Sequence, residues 1–582
     1  MHRKQWIRLG PMFALLALLL AACAAPVAEQ PAAEAPATET ESDAAAPGEP
    51  QSGGTVILTT GDTFQGPAGD FDGASTHDGR LMPLFMDSLM LGRIDGTLEP
   101  RLAESITLAE DGVTWTIALR EDALWHDGAP IVAQDIYFVL NTMCSGQTNP
   151  PSRLNEYTTI VGCEEFRNGE VDNTTGVTVV DDHTVQVVTK QPNAALIYQL
   201  AAMLPVPSHF WQDVPLENLI EHPRWLDNPI GSGPFQMVNY VSAQSIEFEA
   251  FADYYMGRPY LDSVIVRIAP YDSALAGLES GEVDLVTYLD SLDAERLAEN
   301  PDITIGSTAE TRTWGLFFHW YQEDLRDARI RKAFTVAVDR DAYNQVILGG
   351  LGNTQVRSWY TPGTWPANPD IPADEYDPEL ARQLLEEAEF DFENTTVGIV
   401  VLPANRPRAR IAEFVQANLA DIGVQSEIMP IEESIILNEW YNQRDKIWFT
   451  IALIGGTTSE NPYAWWQILR HGSPTNWGFY GCNFVDASVL GDQTALEACG
   501  GVQYGSEELN ALMDQALAVA DQEQAAPIMW EIDRMLYEDP PGIMFVGPVT
   551  LHAWSSNFQG IQPGDEFDLQ VWRKPELWWL SE

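Results

Sequence analysis

A chain of 582 residues with 45% hydrophobic and 20% charged residues has the length and composition of a folded protein with more than one domain or lobe. The net charge of −54 is extreme: 85 acidic residues face 31 Lys and Arg, and Lys4, Lys190, Lys332, Lys446 and Lys574 are all of the lysines. Such a surface repels phosphate backbones and excludes nucleic acid as a partner; it suits solubility, a saline habitat or attraction of cationic solutes.

The chain opens with basic His2-Arg3-Lys4 and Arg8, an apolar run over residues 13–20, and then Leu20-Ala21-Ala22-Cys23. That tetrad resembles a bacterial lipobox, which implies a signal peptide (1–23) and lipidation of Cys23 outside the cytoplasm. The apolar run is too short for a membrane span. Residues 24–54 are nearly all Ala, Pro, Glu, Thr and Ser without an aromatic, the composition of a disordered tether. Four further cysteines fall as two local pairs, Cys144 with Cys163 and Cys482 with Cys499. An even number outside the cytoplasm predicts two disulfides with that connectivity, each contributing about 3 kcal/mol. The metal alternative lacks a Cys-x-x-Cys, and the nine His form no recognisable ligand pair.

A first strand is expected over residues 55–60 and a helix over 84–89. Residues 114–120 then alternate Trp115, Ile117 and Leu119 with Thr114, Thr116, Ala118 and Arg120, the period of a strand with one buried face. Asp111-Gly112 supplies a turn before it and His126-Asp127-Gly128 one after it. A helix pattern follows, with Asp135 near its start and Ile136, Val139 and Leu140 on one face. Trp125, His126 and Asp127 read as packing and turn residues, and His183, in a turn beside Asp181 and Asp182, as a solvated one.

With Pro100-Arg101-Leu102-Ala103-Glu104-Ser105 just upstream, this run resembles the signature of the solute-binding proteins of ABC importers, in the family of oligopeptide- and dipeptide-binding proteins. Further segments resemble it in order: Pro229-Ile230-Gly231-Ser232-Gly233-Pro234-Phe235, Tyr254-Tyr255-Met256-Gly257-Arg258-Pro259, Ser280-Gly281-Glu282-Val283-Asp284, Arg329-Ile330-Arg331-Lys332-Ala333, and residues 376–388. In the last of these Glu389 stands where the family has Gly. The resemblance implies an α/β, two-lobe periplasmic-binding-protein (Venus-flytrap) fold with an additional α+β domain inserted in the first lobe. It divides the chain into first-lobe parts 55–95, 230–306 and 546–582, an accessory domain 96–229 and a second lobe 307–545.

The implied function is capture of a peptide or peptide-sized solute between the lobes and delivery to an ABC permease complex, by a monomer held to the membrane through its lipid. No cofactor is expected. Ligand-binding candidates are Trp314, Phe317, Trp320, Glu460, Trp465, Trp466, Asn476, Trp477 and Tyr480, aromatic faces and polar groups where the family lines its cleft. Peptide binders of the family hold the ligand ammonium with an Asp; the corresponding Ile454-Gly455-Gly456-Thr457-Thr458-Ser459-Glu460-Asn461-Pro462 has none, and Glu460 is the substitute. Without that anchor an oligosaccharide stacking on Trp competes as the ligand. For an enzyme, Gly-x-Ser-x-Gly, His-Glu-x-x-His and Walker A motifs are all missing, and no spacing selects a carboxylate pair for a surface hydrolase. A solute sensor or surface adhesin on the same scaffold would look identical.

Overall fold

The structure is a computed structural model, and it describes residues 49–60, 81–93, 96–147, 157–219, 222–227, 229–309, 313–319, 322–347, 350, 358–372, 376–401, 406–431, 446–454, 461–463, 466–470, 505–545, 549–561 and 574–581. Three larger sheets organise them. The first has seven strands in the order Ile303–Ala309, Val549–Ser555, Leu285–Leu289, Thr55–Thr60, Ser263–Ile268, Ser245–Ala250, Phe235–Val241. The second has five, in the order Gln425–Pro430, Thr396–Val401, Ile447–Ile454, Thr313–Phe318, Gly542–Met544. These are the cores of two lobes, and the chain crosses between them after Ala309 and returns after Met544. Thr55–Thr60 runs parallel to Ser263–Ile268, and Thr396–Val401 parallel to both its neighbours, so each sheet mixes parallel and antiparallel pairs.

A third, antiparallel sheet of four strands, Ala103–Leu108, Thr114–Leu119, Thr184–Val188 and Val177–Asp181, is the accessory domain's core. The expected alternation holds: Trp115, Ile117 and Leu119 are buried and the residues between them half-buried. Each such side chain removed from water contributes roughly 1.5–3 kcal/mol. The helix Ala133–Cys144 packs on this sheet, and Asp135 at its N-terminus, 0% exposed, accepts from Val132 N (2.9 Å), Trp125 Nε1 (3.0 Å) and Ser208 N (2.7 Å). One carboxylate therefore caps the helix, fixes the Trp125 indole and anchors the helix Ser208–Trp211. A disulfide joins Cys144, the last residue of that helix, to Cys163, with Cα atoms 4.9 Å apart.

One early element differs from expectation. The helix predicted over residues 84–89 runs only over Met82–Phe85, and the chain then turns extended at Met86 (ψ 144°). Gly233 N donates to the Phe85 carbonyl at 2.9 Å, taking an acceptor that a longer helix would have used, and Ser232 Oγ accepts from Asp87 N. A Cβ on Gly231 would fall 2.1 Å from the Phe85 carbonyl oxygen, so close backbone approach explains that glycine. The extended stretch then swings the Asp87 carboxylate onto Arg101.

Candidate ligand cleft

The second lobe and the accessory domain meet at an aromatic cluster. Its scaffold is the helix pair Glu507–Leu517 and Gln522–Glu538, which begin at Ser506 and Asp521; these side chains accept from Leu509 N and Gln524 N and so satisfy N-terminal amides that the helices leave unpaired. Leu509, Met513, Met529, Ile532 and Leu536 form the apolar faces that the two helices bury. Against them pack Phe317, Trp359, Tyr360, Tyr463, Trp466 and Met544 of the second lobe, together with Ala194, Ala195 and Tyr198 of the accessory domain.

Within the cluster the polar atoms form a chain. Trp466 Nε1 donates to Tyr360 Oη at 2.9 Å, and Tyr360 Oη donates to the Pro462 carbonyl at 3.1 Å. Tyr463 meets Trp466 edge-on with centroids 5.0 Å apart. Asp533, buried beneath, accepts from Asn368 N at 2.9 Å through Oδ2, and its carbonyl accepts from Ser358 Oγ at 3.0 Å. These bonds hold residues 358–368, which present Tyr360 to Pro462 and Trp466. Burial pushes the Asp533 carboxyl up to about 6, against the opposing pull of the backbone donors. Burial likewise holds the Tyr198 phenol up at about 12, so it stays a neutral hydrogen-bonding group.

Of the candidates from sequence, Phe317 lies in the strand Thr313–Phe318 and is 1% exposed, and Trp466 starts the helix Trp466–Leu469 and is 3% exposed. The structure brings these two together in the cluster, where both are buried. Trp314 lies in the same strand, with its backbone paired to Leu453. Trp320, Glu460, Trp465, Asn476, Trp477 and Tyr480 lie outside the described residues, as do Cys23, Cys482 and Cys499. Sequence reasoning missed Tyr198, Tyr360, Tyr463 and Asp533. The one signal available for Tyr360 was its place in Trp359-Tyr360-Thr361-Pro362-Gly363, an aromatic pair entering a Pro-Gly turn; nothing local marks Tyr198.

The lobes themselves are bridged by an ion pair from Arg410, in the helix Arg406–Asp421, to Asp290, 2.9 Å apart. Asp290 also caps the helix Ser291–Leu297 by accepting from Leu292 N. No helix among the described residues is long and apolar enough to cross a membrane.

Two α/β lobes joined by two chain crossings, with an accessory domain packed on an aromatic cluster of the second lobe, define the two-lobe class of solute-binding proteins. The model of the bacterial extracellular solute-binding proteins, family 5, matches residues 97–478, and the chain belongs to that family. It is 30% identical over 381 residues to the dipeptide-binding protein of Escherichia coli, a match spanning 62% of this chain and 69% of that protein. Among solved structures it resembles the ABC transporter substrate binding protein CtaP of Listeria monocytogenes, with TM-score 0.76 and 22% identity, covering 91% of this chain and 100% of that one. It also resembles the oligopeptide-binding protein AppA of Bacillus subtilis in complex with a nonapeptide, with TM-score 0.70 and 21% identity, covering 92% and 100%. The protein is therefore an extracellular solute-binding protein of the ABC-transport type and not an enzyme.

Proposed function

We propose that this chain captures peptides between its lobes and passes them to an ABC permease, held at the outer face of the cell membrane by lipid on Cys23. The observation that carries the peptide reading is its 30% identity with the E. coli protein, whose name assigns it dipeptides; Leu20-Ala21-Ala22-Cys23 carries the anchor. In this reading Trp314, Trp320, Glu460, Trp465, Asn476, Trp477 and Tyr480 supply the ligand surface, and Phe317 and Trp466 belong to the wall behind it. Glu460 pairs with the peptide ammonium, because a carboxylate in a water-poor cleft gains most from a charged donor. An oligosaccharide is the second reading, favoured by the missing Asp in residues 454–462.

A melting screen of the full chain in detergent micelles separates the two. Peptides are expected to raise the melting temperature; at a hundredfold excess over Kd a ligand adds about 2.7 kcal/mol of stability. A shift with oligosaccharides and none with peptides defeats the peptide reading. Glu460→Gln is expected to weaken peptide binding, and unchanged affinity removes the anchor.

A further inference from the structure

The accessory domain holds none of the ligand-binding candidates, yet it touches the segment that carries two of them. We propose that Tyr198 of the accessory domain is a positioning residue for Asn461, Tyr463 and Trp466 of the second lobe, so that peptide affinity depends on accessory-domain docking. The inference rests on the peptide-binding reading above.

The contact is built at three points. Ala194 N donates to the Leu517 carbonyl at 2.8 Å, and Leu517 is the last residue of the helix Glu507–Leu517, whose final carbonyls have no partner within the helix. The accessory domain thus completes a second-lobe helix. Gln522 Nε2, at the start of the next helix, donates to Gly96 O at 3.1 Å and to Tyr198 Oη at 3.3 Å. Gly96 has φ +83°, and a Cβ there would stand 2.8 Å from Gln522 Nε2 and 3.1 Å from the Trp365 ring, so the close approach of this strand connection is specific to glycine. The third point is Tyr198 itself, 7% exposed, with its ring 5.9 Å from that of Tyr463.

Tyr463 passes this contact on. Its ring lies edge-on against Trp466, and the two flank Trp465 in sequence; Asn461, whose side chain accepts from Tyr463 N, follows Glu460 directly. On its other side the segment is held by Tyr360, which bonds both Trp466 and Pro462. Tyr360 moves with the second lobe, whereas Tyr198 arrives from another body. When the bodies part, Tyr463 keeps Trp466 and loses Tyr198, and the segment is fixed from one side only. Docking of the accessory domain and binding of peptide therefore favour one another, and by linkage each raises the other's equilibrium by the same factor.

The test takes the peptide with the largest melting shift in the screen above and measures its equilibrium affinity and dissociation rate on the full chain in micelles. Tyr198→Ala is expected to weaken affinity by about tenfold, within the range usual for coupled sites, with most of the change in the dissociation rate. Tyr198→Phe, which keeps the ring against Tyr463, is expected to stay within about twofold of the original. Hydrogen exchange supplies a reading independent of affinity: peptide should slow exchange of the Ala194 amide, and Tyr198→Ala should abolish that slowing. A residue that merely packs the accessory domain would lower the melting temperature and leave affinity and Ala194 protection unchanged. That result, or equal losses in Tyr198→Phe and Tyr198→Ala, overturns the proposal. If the unaltered chain itself binds no peptide, it is the functional reading that fails, and this inference falls with it.

Discussion

The accessory domain meets the two lobes through opposite chemistries. Toward the first lobe it presents Arg101, whose guanidinium reaches Asp87 at 3.0 Å, Glu576 at 3.0 Å and Tyr254 Oη at 2.9 Å, with Tyr255 Oη closing on Asp87 at 2.6 Å. Arg101, Asp87 and Glu576 are all buried. Burial works against the Arg101 charge, but Asp87 and Glu576 outweigh it and hold the guanidinium above its usual range, while burial pushes the Glu576 carboxyl up. Toward the second lobe the same domain presents two alanines, a tyrosine, a backbone amide and the Gly96 carbonyl. Pulling apart the first joint strands charges in a dry interior, at about 3–5 kcal/mol for a lost partner. Parting the second wets one aromatic ring and frees groups that water can satisfy, at about 1.5–3 kcal/mol. The domain is thus fixed to one lobe and able to leave the other, the asymmetry a closing cleft requires.

The sharpest way to break this comparison is Arg101→Met. It leaves Asp87 and Glu576 facing each other without a cation, and chemical unfolding is expected to show a loss of about 3–5 kcal/mol. A loss under about 1 kcal/mol would mean that the two joints do not differ in kind.

The next effect is a pH dependence of the fixed joint. His126 Nε2 donates to Gly233 O at 2.9 Å, its Nδ1 accepts from Gly231 N at 3.2 Å, and the ring meets Phe85 and Phe251 edge-on. Both ring nitrogens are used in the neutral form. Burial, opposed by the Gly233 carbonyl and Asp127, holds the ring down at about 4. The unfolded chain protonates this residue below about 6.5 and the folded chain does not. Its contribution is complete above that pH and is lost as pH falls toward about 4. The ring is partly solvated, so the expected loss is about 1–2 kcal/mol. Asp533, whose folded carboxyl titrates near 6, acts in the opposite direction: its contribution is present at low pH and lost as pH rises through that value. The measurement is therefore the difference in pH slope between the original chain and His126→Gln in urea unfolding; parallel slopes remove His126 from the joint's acid sensitivity.

These joints also mark how far the residues could be read before folding. The strand Thr114–Leu119 and the helix opening near Asp135 were legible because a period of two and a capping acid are local signals. Asp87 was not, because its partners lie 14 and 167 positions away at Arg101 and Tyr254, and Arg101 itself pairs with Glu576 across 475 positions. In the aromatic cluster, Phe317 and Trp466 were expected as ligand contacts, but they are buried in a cluster completed by Tyr360 and Tyr198, which come from two other segments. Glu389 shows a local departure with a local cost. It follows the helix Pro378–Glu387 at φ 58°, in the left-handed region, with Phe390 N closing on Leu385 O. Glu389→Gly is expected to raise stability by about 0.5–1 kcal/mol in unfolding titrations; a loss would show that the Glu side chain makes a compensating contact.

The smallest expected effect tests whether charge holds the movable side of the comparison as it holds the fixed one. Arg410 and Asp290 link the lobes directly, but their side chains are 32% and 38% exposed. An exposed pair contributes about 0.2–1 kcal/mol and is screened by salt. Asp290 is the wrong partner to alter, because it caps the helix Ser291–Leu297 and its loss would unsettle the first lobe itself. Arg410→Ala avoids that confusion. It is expected to weaken peptide affinity by no more than about fivefold at low ionic strength, and the difference should vanish near 1 M salt, where the screening length falls to about 3 Å. The Tyr198→Ala effect should persist at the same salt, since burial of a ring is not an electrostatic contact. If Arg410→Ala instead gave a loss larger than that of Tyr198→Ala and insensitive to salt, closure would be governed by the ion pair, and the contrast between a charged fixed joint and an apolar movable one would be reversed.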